Sequence, residues 1–233
     1  MNQKAVKLPF FEIGPKSYLY GDDILELAKA ADAASEKYGV DIIFTTPVVD
    51  IRRVREATKH IHVFAPHMDP IVPGRGLADI LPESLVAAGA DGVMLNHVEK
   101  PISFETLEAT IKRANEVGLT TIVCADSLAD ASKIATLAPD IIVAEPSELI
   151  GTGVSVGKEY VEAATKSVKD VNPEILVLTA AGISNGQDVY NTIIAGADAT
   201  GSSSGVAKAA DRAAMVDEMI SAVRRAYDER QSK

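Results

Sequence analysis

The chain has 233 residues, and its 33 acidic and 23 basic side chains give a formal net charge of −10. This length fits one domain or two, and the surplus of carboxylates argues against nucleic acid or an anionic membrane as a partner. A single cysteine, Cys124, excludes an internal disulfide and favours a reducing compartment. The longest stretch free of charge, 175–187, is far shorter than a membrane span, and the first residues lack a signal-peptide pattern. We therefore expect a cytoplasmic protein.

Eight short apolar runs recur along the chain, and each is apolar nearly throughout rather than at alternate positions. This pattern is typical of strands buried on both faces of a parallel sheet. The sequence predicts strands at residues 8–13, 41–46, 61–65, 92–96, 120–125, 140–145, 174–180 and, from a weaker run, 197–203.

Amphipathic stretches separate these runs, and their ends carry helix-capping residues. One begins after Ser103, which can cap a helix, and stops at Gly118. Similar helices are predicted within 22–39, 127–140, 158–173 and 186–198. Eight strand–helix units predict an α/β protein with a single (β/α)8 TIM barrel over residues 1–233. A doubly wound open sheet is the alternative, but the first turn, Gly14-Pro15-Lys16, lacks the glycine pattern of that fold.

Ionisable residues follow several of the predicted strands, where a barrel of this kind carries its chemistry. Lys16 follows the first strand, His67 follows the third between two prolines, and Glu145 ends the sixth. The apolar residues before Glu145 should raise its pKa, as a proton-abstracting base requires. Asn96 ends the fourth strand and Glu99 follows it, and the two residues predict a polar network that supports the catalytic groups. Neither the cysteine nor the histidines have the spacing of a metal site.

Small residues follow the last two predicted strands. Gly182 and Ser184 come after the seventh strand, Ser203 ends the eighth, and Ser204 follows it. Small residues before a helix expose backbone N–H groups, so these turns predict a phosphate site. Between Glu145 and the next helix, a proline and glycines bracket a short segment of the kind that forms a hinged lid.

With LNHVEK, AEPSELIGTG, AAGIS and SSSGVAKA in this order, the chain resembles the triosephosphate isomerase family, especially its short archaeal-type members. The resemblance covers essentially the whole chain. It implies a cofactor-free aldose–ketose isomerisation of a small phosphorylated sugar, through an enediolate, by a cytoplasmic glycolytic homo-oligomer (dimer or tetramer). It also implies roles for particular residues: Glu145 as the base, His67 as the electrophile, Lys16 as the substrate-binding cation with Glu99 beside it, and the N–H groups of Gly151, Ser184, Ser203 and Ser204 as the phosphate site.

Three positions depart from the family pattern. Gly14 stands where the family has asparagine, Leu77 stands where it has a threonine that reaches the neighbouring subunit, and Val98 replaces a serine. In the family the asparagine and the threonine are contact partners, so their joint loss looks like one coordinated change. It predicts a pocket floor emptied of an amide, with room for a longer or differently branched sugar, and it puts the usual dimer contact in doubt.

Triose phosphate is the default substrate that the resemblance implies. One alternative is a paralogue acting on a four-carbon ketose phosphate of the erythrulose phosphate type, which Gly14 favours. Another is a non-catalytic barrel that binds a phosphosugar, although neither the base nor the lysine is lost. A Schiff-base aldolase would need a lysine inside a strand, and the predicted sixth strand has none.

Overall fold

The computed structural model describes residues 6–149, 152–153, 155–180 and 182–232. Eight parallel strands form a closed barrel in which each strand pairs with the next along the chain and the last pairs with the first. This closure confirms the predicted (β/α)8 barrel and excludes the open sheet. The strands are β1 (Phe10–Ile13), β2 (Asp41–Thr45), β3 (His62–Ala65), β4 (Gly92–Leu95), β5 (Thr120–Ala125), β6 (Ile141–Ala144), β7 (Leu176–Thr179) and β8 (Ala199–Ser202).

Helices follow the strands and form the outer layer of the barrel. They are α1 (Asp22–Tyr38), α2 (Ile51–Ala57), α3 (Pro82–Ala88), α4 (Phe104–Val117), α5 (Leu128–Ala135), α6 (Lys158–Lys169), α7 (Gly186–Ile194), α8 (Ser204–Ala207) and α9 (Arg212–Gln231). The capping predicted for α4 is present, since the Ser103 hydroxyl accepts a hydrogen bond from the Thr106 N–H and Gly118 adopts a left-handed conformation. Within the described ranges, no helix has the length and apolar character needed to cross a membrane.

Successive residues of each strand face opposite sides of the barrel wall. On β1, Phe11 and Ile13 pack outward against the helices, whereas Phe10 packs among the side chains that fill the interior. Because side chains alternate, Glu12 faces the interior with Phe10. The interior is tightly filled near β3 and β4, where a Cβ added to Gly92 would lie 2.4 Å from the Phe64 ring. Side chains therefore fill the barrel interior, and Glu12 of β1 lies at the end of this core that is nearest the carboxyl ends of the strands.

Candidate active site

A cavity of about 650 Å³ opens at the carboxyl ends of the strands. Residues from all eight strands or from the segments that follow them line it. Pockets of this size hold small metabolites, and in barrels of this type the reaction takes place at this face. Three of the residues singled out in the sequence, Lys16, Glu99 and Glu145, lie together on its wall.

Lys16 lies just after β1 in a left-handed backbone conformation, with φ of 48°. This region is unfavourable for a residue with a Cβ, and such strain concentrates at functional sites. Its ammonium group is 3.0 Å from a carboxylate oxygen of Glu99, whose side chain is largely exposed. The turn after β1 thus directs a cation into the cavity, and its carboxylate partner comes from the segment after β4.

Glu145 follows β6 directly, and its backbone N–H donates to the carbonyl of Ala125 at the end of β5. Burial raises the pKa of its carboxyl group from the ordinary 4.5 to about 7, although the charge of Lys16 acts in the opposite direction. A carboxyl group with this pKa is ionised in a large fraction of molecules at neutral pH and is still basic enough to take a proton from carbon. This perturbation is the one expected from the apolar strand that precedes it.

His97 lies on the cavity wall beside Lys16. Its Nδ1 accepts a hydrogen bond from the N–H of Glu99 at 3.1 Å, and burial together with the charge of Lys16 lowers the pKa of the ring. An accepting Nδ1 and a lowered pKa assign a neutral imidazole with its proton on Nε2. His97 is therefore a neutral hydrogen-bond donor. The sequence predicts only a supporting network for this segment, although a histidine directly after a buried strand is a usable signal.

The structure does not bring His67 into this arrangement. The cavity lining includes its neighbour Pro66 but not His67. Its Nε2 lies 3.3 Å from Asp69, and its Nδ1 is buried without a hydrogen-bond partner among the described residues. The prolines on either side fix the backbone, but they leave the ring against its own loop rather than in the cavity. The placement expected for the electrophile is found at His97 instead.

Asn96 holds the segment that carries His97. It adopts a left-handed conformation with φ of 58°, its side-chain amide donates to the carbonyl of Cys124 on β5, and its Oδ1 accepts from the N–H of Ile102. The amide thus ties the end of β4 to β5 and to the start of the α4 region. Asn96 therefore supports the segment that carries His97, and it is not among the described residues that line the cavity.

Gly182, Ser184, Ser203 and Ser204 all line the same cavity. The Oγ of Ser203 is buried without a hydrogen-bond partner in the described part of the chain, so it is free to meet a ligand. The N–H of Ser184 is already used, because it donates to Asp188 Oδ2 at 3.0 Å. A fifth predicted phosphate residue, Gly151, lies outside the described residues.

The floor of the cavity next to β1 is occupied rather than empty, which corrects the expectation drawn from Gly14. A Cβ added to Gly14 would lie 2.9 Å from Oε1 of Glu12, so the carboxyl group fills the space beside that glycine. Burial raises the pKa of Glu12 to about 7, the charge of Glu145 adds to the rise, and the Thr45 hydroxyl and Lys16 oppose it. Glu12 cannot be singled out from the sequence because it lies inside an apolar run.

Leu77 is fully exposed on the long loop between β3 and α3. The resemblance places a subunit contact at this position, and here an apolar side chain stands free in the single chain. The oligomeric state therefore stays a prediction.

A family model described as triosephosphate isomerase matches residues 15–223 of this chain. The chain is also similar to archaeal proteins of that name. It is 36% identical over 220 residues to the protein of Methanobacterium bryantii, covering 92% of this chain and 97% of the relative. The protein of Methanocaldococcus jannaschii is 39% identical over 203 residues, 86% and 92% of the two chains. That of Sulfolobus acidocaldarius is 34% identical over 229 residues, 97% and 99% of the two chains.

Proposed function

Because the chain belongs to the triosephosphate isomerase family, whose members are aldose–ketose isomerases, we propose that it interconverts the aldose and ketose forms of a short sugar phosphate. The default pair is glyceraldehyde 3-phosphate and dihydroxyacetone phosphate. The observation that carries this proposal is the convergence of Lys16, His97 and Glu145 on one cavity from three different strands. As in the family, we expect a homo-oligomer that acts in the cytoplasm.

Glu145 is the base in this proposal. Its carboxylate removes a proton from the carbon next to the carbonyl group, which leaves an enediolate. The hydroxyl proton of the enediolate then moves to the former carbonyl oxygen, and Glu145 returns its proton to the former carbonyl carbon. The proton and the electron pair shift within one molecule, so the reaction needs no external oxidant or reductant. A pKa of about 7 suits both halves of this exchange, because the same group must accept and release the proton at neutral pH.

His97 is the electrophile, a role that we move from His67. A neutral imidazole that donates its Nε2 proton can polarise the carbonyl oxygen and stabilise the negative charge that develops there. Lys16 adds a fixed positive charge on the same side. The family pairs a glutamate base with a neutral histidine, and we assign these two roles to Glu145 and His97.

The loops after β7 and β8 would bind the phosphate. The described lining carries three lysines, Lys16, Lys100 and Lys208, against three glutamates, and two of those glutamates have pKa values near 7. The cavity is therefore less negative than the chain as a whole, which favours an anionic substrate. The Oγ of Ser203 has no hydrogen-bond partner in the described part of the chain, whereas the N–H of Ser184 must leave Asp188 before it can bind phosphate. The resemblance adds Gly151 from the lid segment.

Proton exchange in D₂O tests this function. Purified protein is incubated with dihydroxyacetone phosphate, and both aldose formation and deuterium uptake at carbon are followed by NMR. We expect both with the wild-type chain and neither at a comparable rate with Glu145→Gln. The absence of exchange with triose phosphate and with four-carbon ketose phosphates would overturn the proposal, and exchange that survives in Glu145→Gln would remove Glu145 as the base.

A four-carbon ketose phosphate is the second candidate substrate, and one observation favours it. The carboxyl group of Glu12 occupies the cavity floor beside position 14, where the family has an amide, and it can accept a hydrogen bond from the additional hydroxyl group of a four-carbon sugar. The same exchange assay run with erythrulose phosphates tests this candidate directly.

A further inference from the structure

Glu12 is a buried ionisable residue that the mechanism above does not use. It faces the barrel interior and lines the cavity, and only 8% of its surface is exposed. The other interior side chains that reach this floor are uncharged: Thr45, Met94, Cys124, Val143 and Leu178. Charged side chains are rarely buried without a partner, so a carboxyl group in this position calls for a ligand that completes it.

Two glycines make room for this carboxyl group. Gly201 lies directly opposite Glu12 on the neighbouring strand β8, and a Cβ there would lie 3.1 Å from Oε2 and closer still to the Glu12 backbone. A Cβ at Gly14 would lie 2.9 Å from Oε1. Any other residue at either position would push the carboxyl group aside. Two positions on neighbouring strands and one directly after β1 therefore combine to present one carboxyl group at the floor.

The carboxyl group lacks a full set of partners. Its Oε1 is buried and has no hydrogen-bond partner among the described residues. The Thr45 hydroxyl is near enough to lower the pKa of Glu12, but its Oγ1 also has no hydrogen-bond partner in the part of the chain that the structure describes. A buried acceptor without a donor is unfavourable, and a ligand that brings a donor relieves this cost. The oxygens of a phosphate group only accept hydrogen bonds when ionised, so a hydroxyl group fits this position better.

We propose that Glu12 is a specificity-determining residue that contacts the substrate: its carboxyl group hydrogen-bonds a sugar hydroxyl and favours a ketose phosphate with four carbons over one with three. The inference rests on the proposed isomerase function and names the substrate class of the same site. Glu12, Lys16 and Glu145 line one cavity, so a hydroxyl bound by Glu12 belongs to the same molecule on which Glu145 acts.

Substitution of Glu12 tests the inference through the ratio of two specificity constants. We would measure kcat/KM for an erythrulose phosphate and for dihydroxyacetone phosphate in the wild-type chain, Glu12→Leu and Glu12→Gln. Leucine fills the site without an acceptor and suits the apolar floor, so this variant should fold. Glutamine keeps an acceptor oxygen. Glu105→Ala, at an exposed position on α4, is the control and should leave both constants unchanged.

The expected result is a ratio of four-carbon to three-carbon kcat/KM that falls about 10- to 100-fold in Glu12→Leu, the range for a lost hydrogen bond to a charged group. Glu12→Gln should recover part of this loss. A purely structural role would lower both constants together, and a ratio within about threefold of wild type in both variants would overturn the inference while leaving the isomerase function in place. Wild-type protein that exchanges no proton of either substrate would overturn both.

Discussion

Glu12→Gln should stabilise the protein at neutral pH and flatten the dependence of its stability on pH. Burial raises the pKa of Glu12 from 4.5 to about 7. Between these values the unfolded chain has released the proton and the folded chain still holds it, so a rise in pH favours unfolding. The free energy of unfolding begins to fall near pH 4.5, and the fall is complete above pH 7. The total loss is about 3 kcal/mol, of which about 2.5 kcal/mol occurs between pH 5 and pH 8.

Urea denaturation at pH 5, 6, 7 and 8, at one protein concentration, measures this effect. The quantity of interest is the free energy of unfolding of wild type minus that of Glu12→Gln. Glu145 titrates in the same range, but it is present in both proteins and largely cancels in the difference. The difference should fall by about 2.5 kcal/mol from pH 5 to pH 8. A change below about 1 kcal/mol would refute the reasoning, because it would mean that the carboxyl group is solvated or paired in the folded state.

The remaining predictions concern catalysis and packing. His97→Asn should lower kcat/KM at least about 100-fold, whereas His67→Asn should change it less than threefold; the reverse order would return the electrophile's role to His67. The pH profile of kcat/KM should fall about tenfold for each pH unit below about 7 as Glu145 gains its proton, and a break at pH 6 or lower would trace instead to the substrate phosphate. Gly92→Ala should lower the free energy of unfolding by about 2 kcal/mol or more, because the new methyl group would meet an aromatic carbon at 2.4 Å. Gly157→Ala should lower it by less than about 1 kcal/mol, because the new Cβ meets only a flexible side-chain oxygen at 3.3 Å. Urea denaturation measures both values, and equal losses would contradict the packing argument.

Much of the fold could be predicted because its signals are local. Runs that are apolar throughout specify strands buried on both faces, and eight of them alternating with capped helices specify a barrel. Even the weak run around β8 forms a strand that pairs with both of its neighbours. The positions of Lys16 and Glu145 followed from the same pattern, since a strand end in a barrel is by construction near the active face.

The direction in which a side chain points was decided only by the tertiary structure. His67 and His97 both follow strands, and nothing local to either sequence distinguishes a ring that faces the cavity from one that rests on its own loop. The structure separates them, because Asn96 and the N–H of Glu99 hold one ring in the cavity, whereas the other lies against Asp69.

Glu12 makes the same point for the strands themselves. In a strand buried on both faces the apolar pattern does not alternate, so the sequence determined that β1 exists but not which of its residues face the interior. Closure of the barrel determines which residues of β1 face the interior. As a result, the carboxyl group of Glu12 lies at the floor of the cavity between two glycines. The sequence by itself thus determined the scaffold and the family. The tertiary structure decided which histidine and which second carboxyl group line the cavity, because both depend on contacts between strands far apart in the chain.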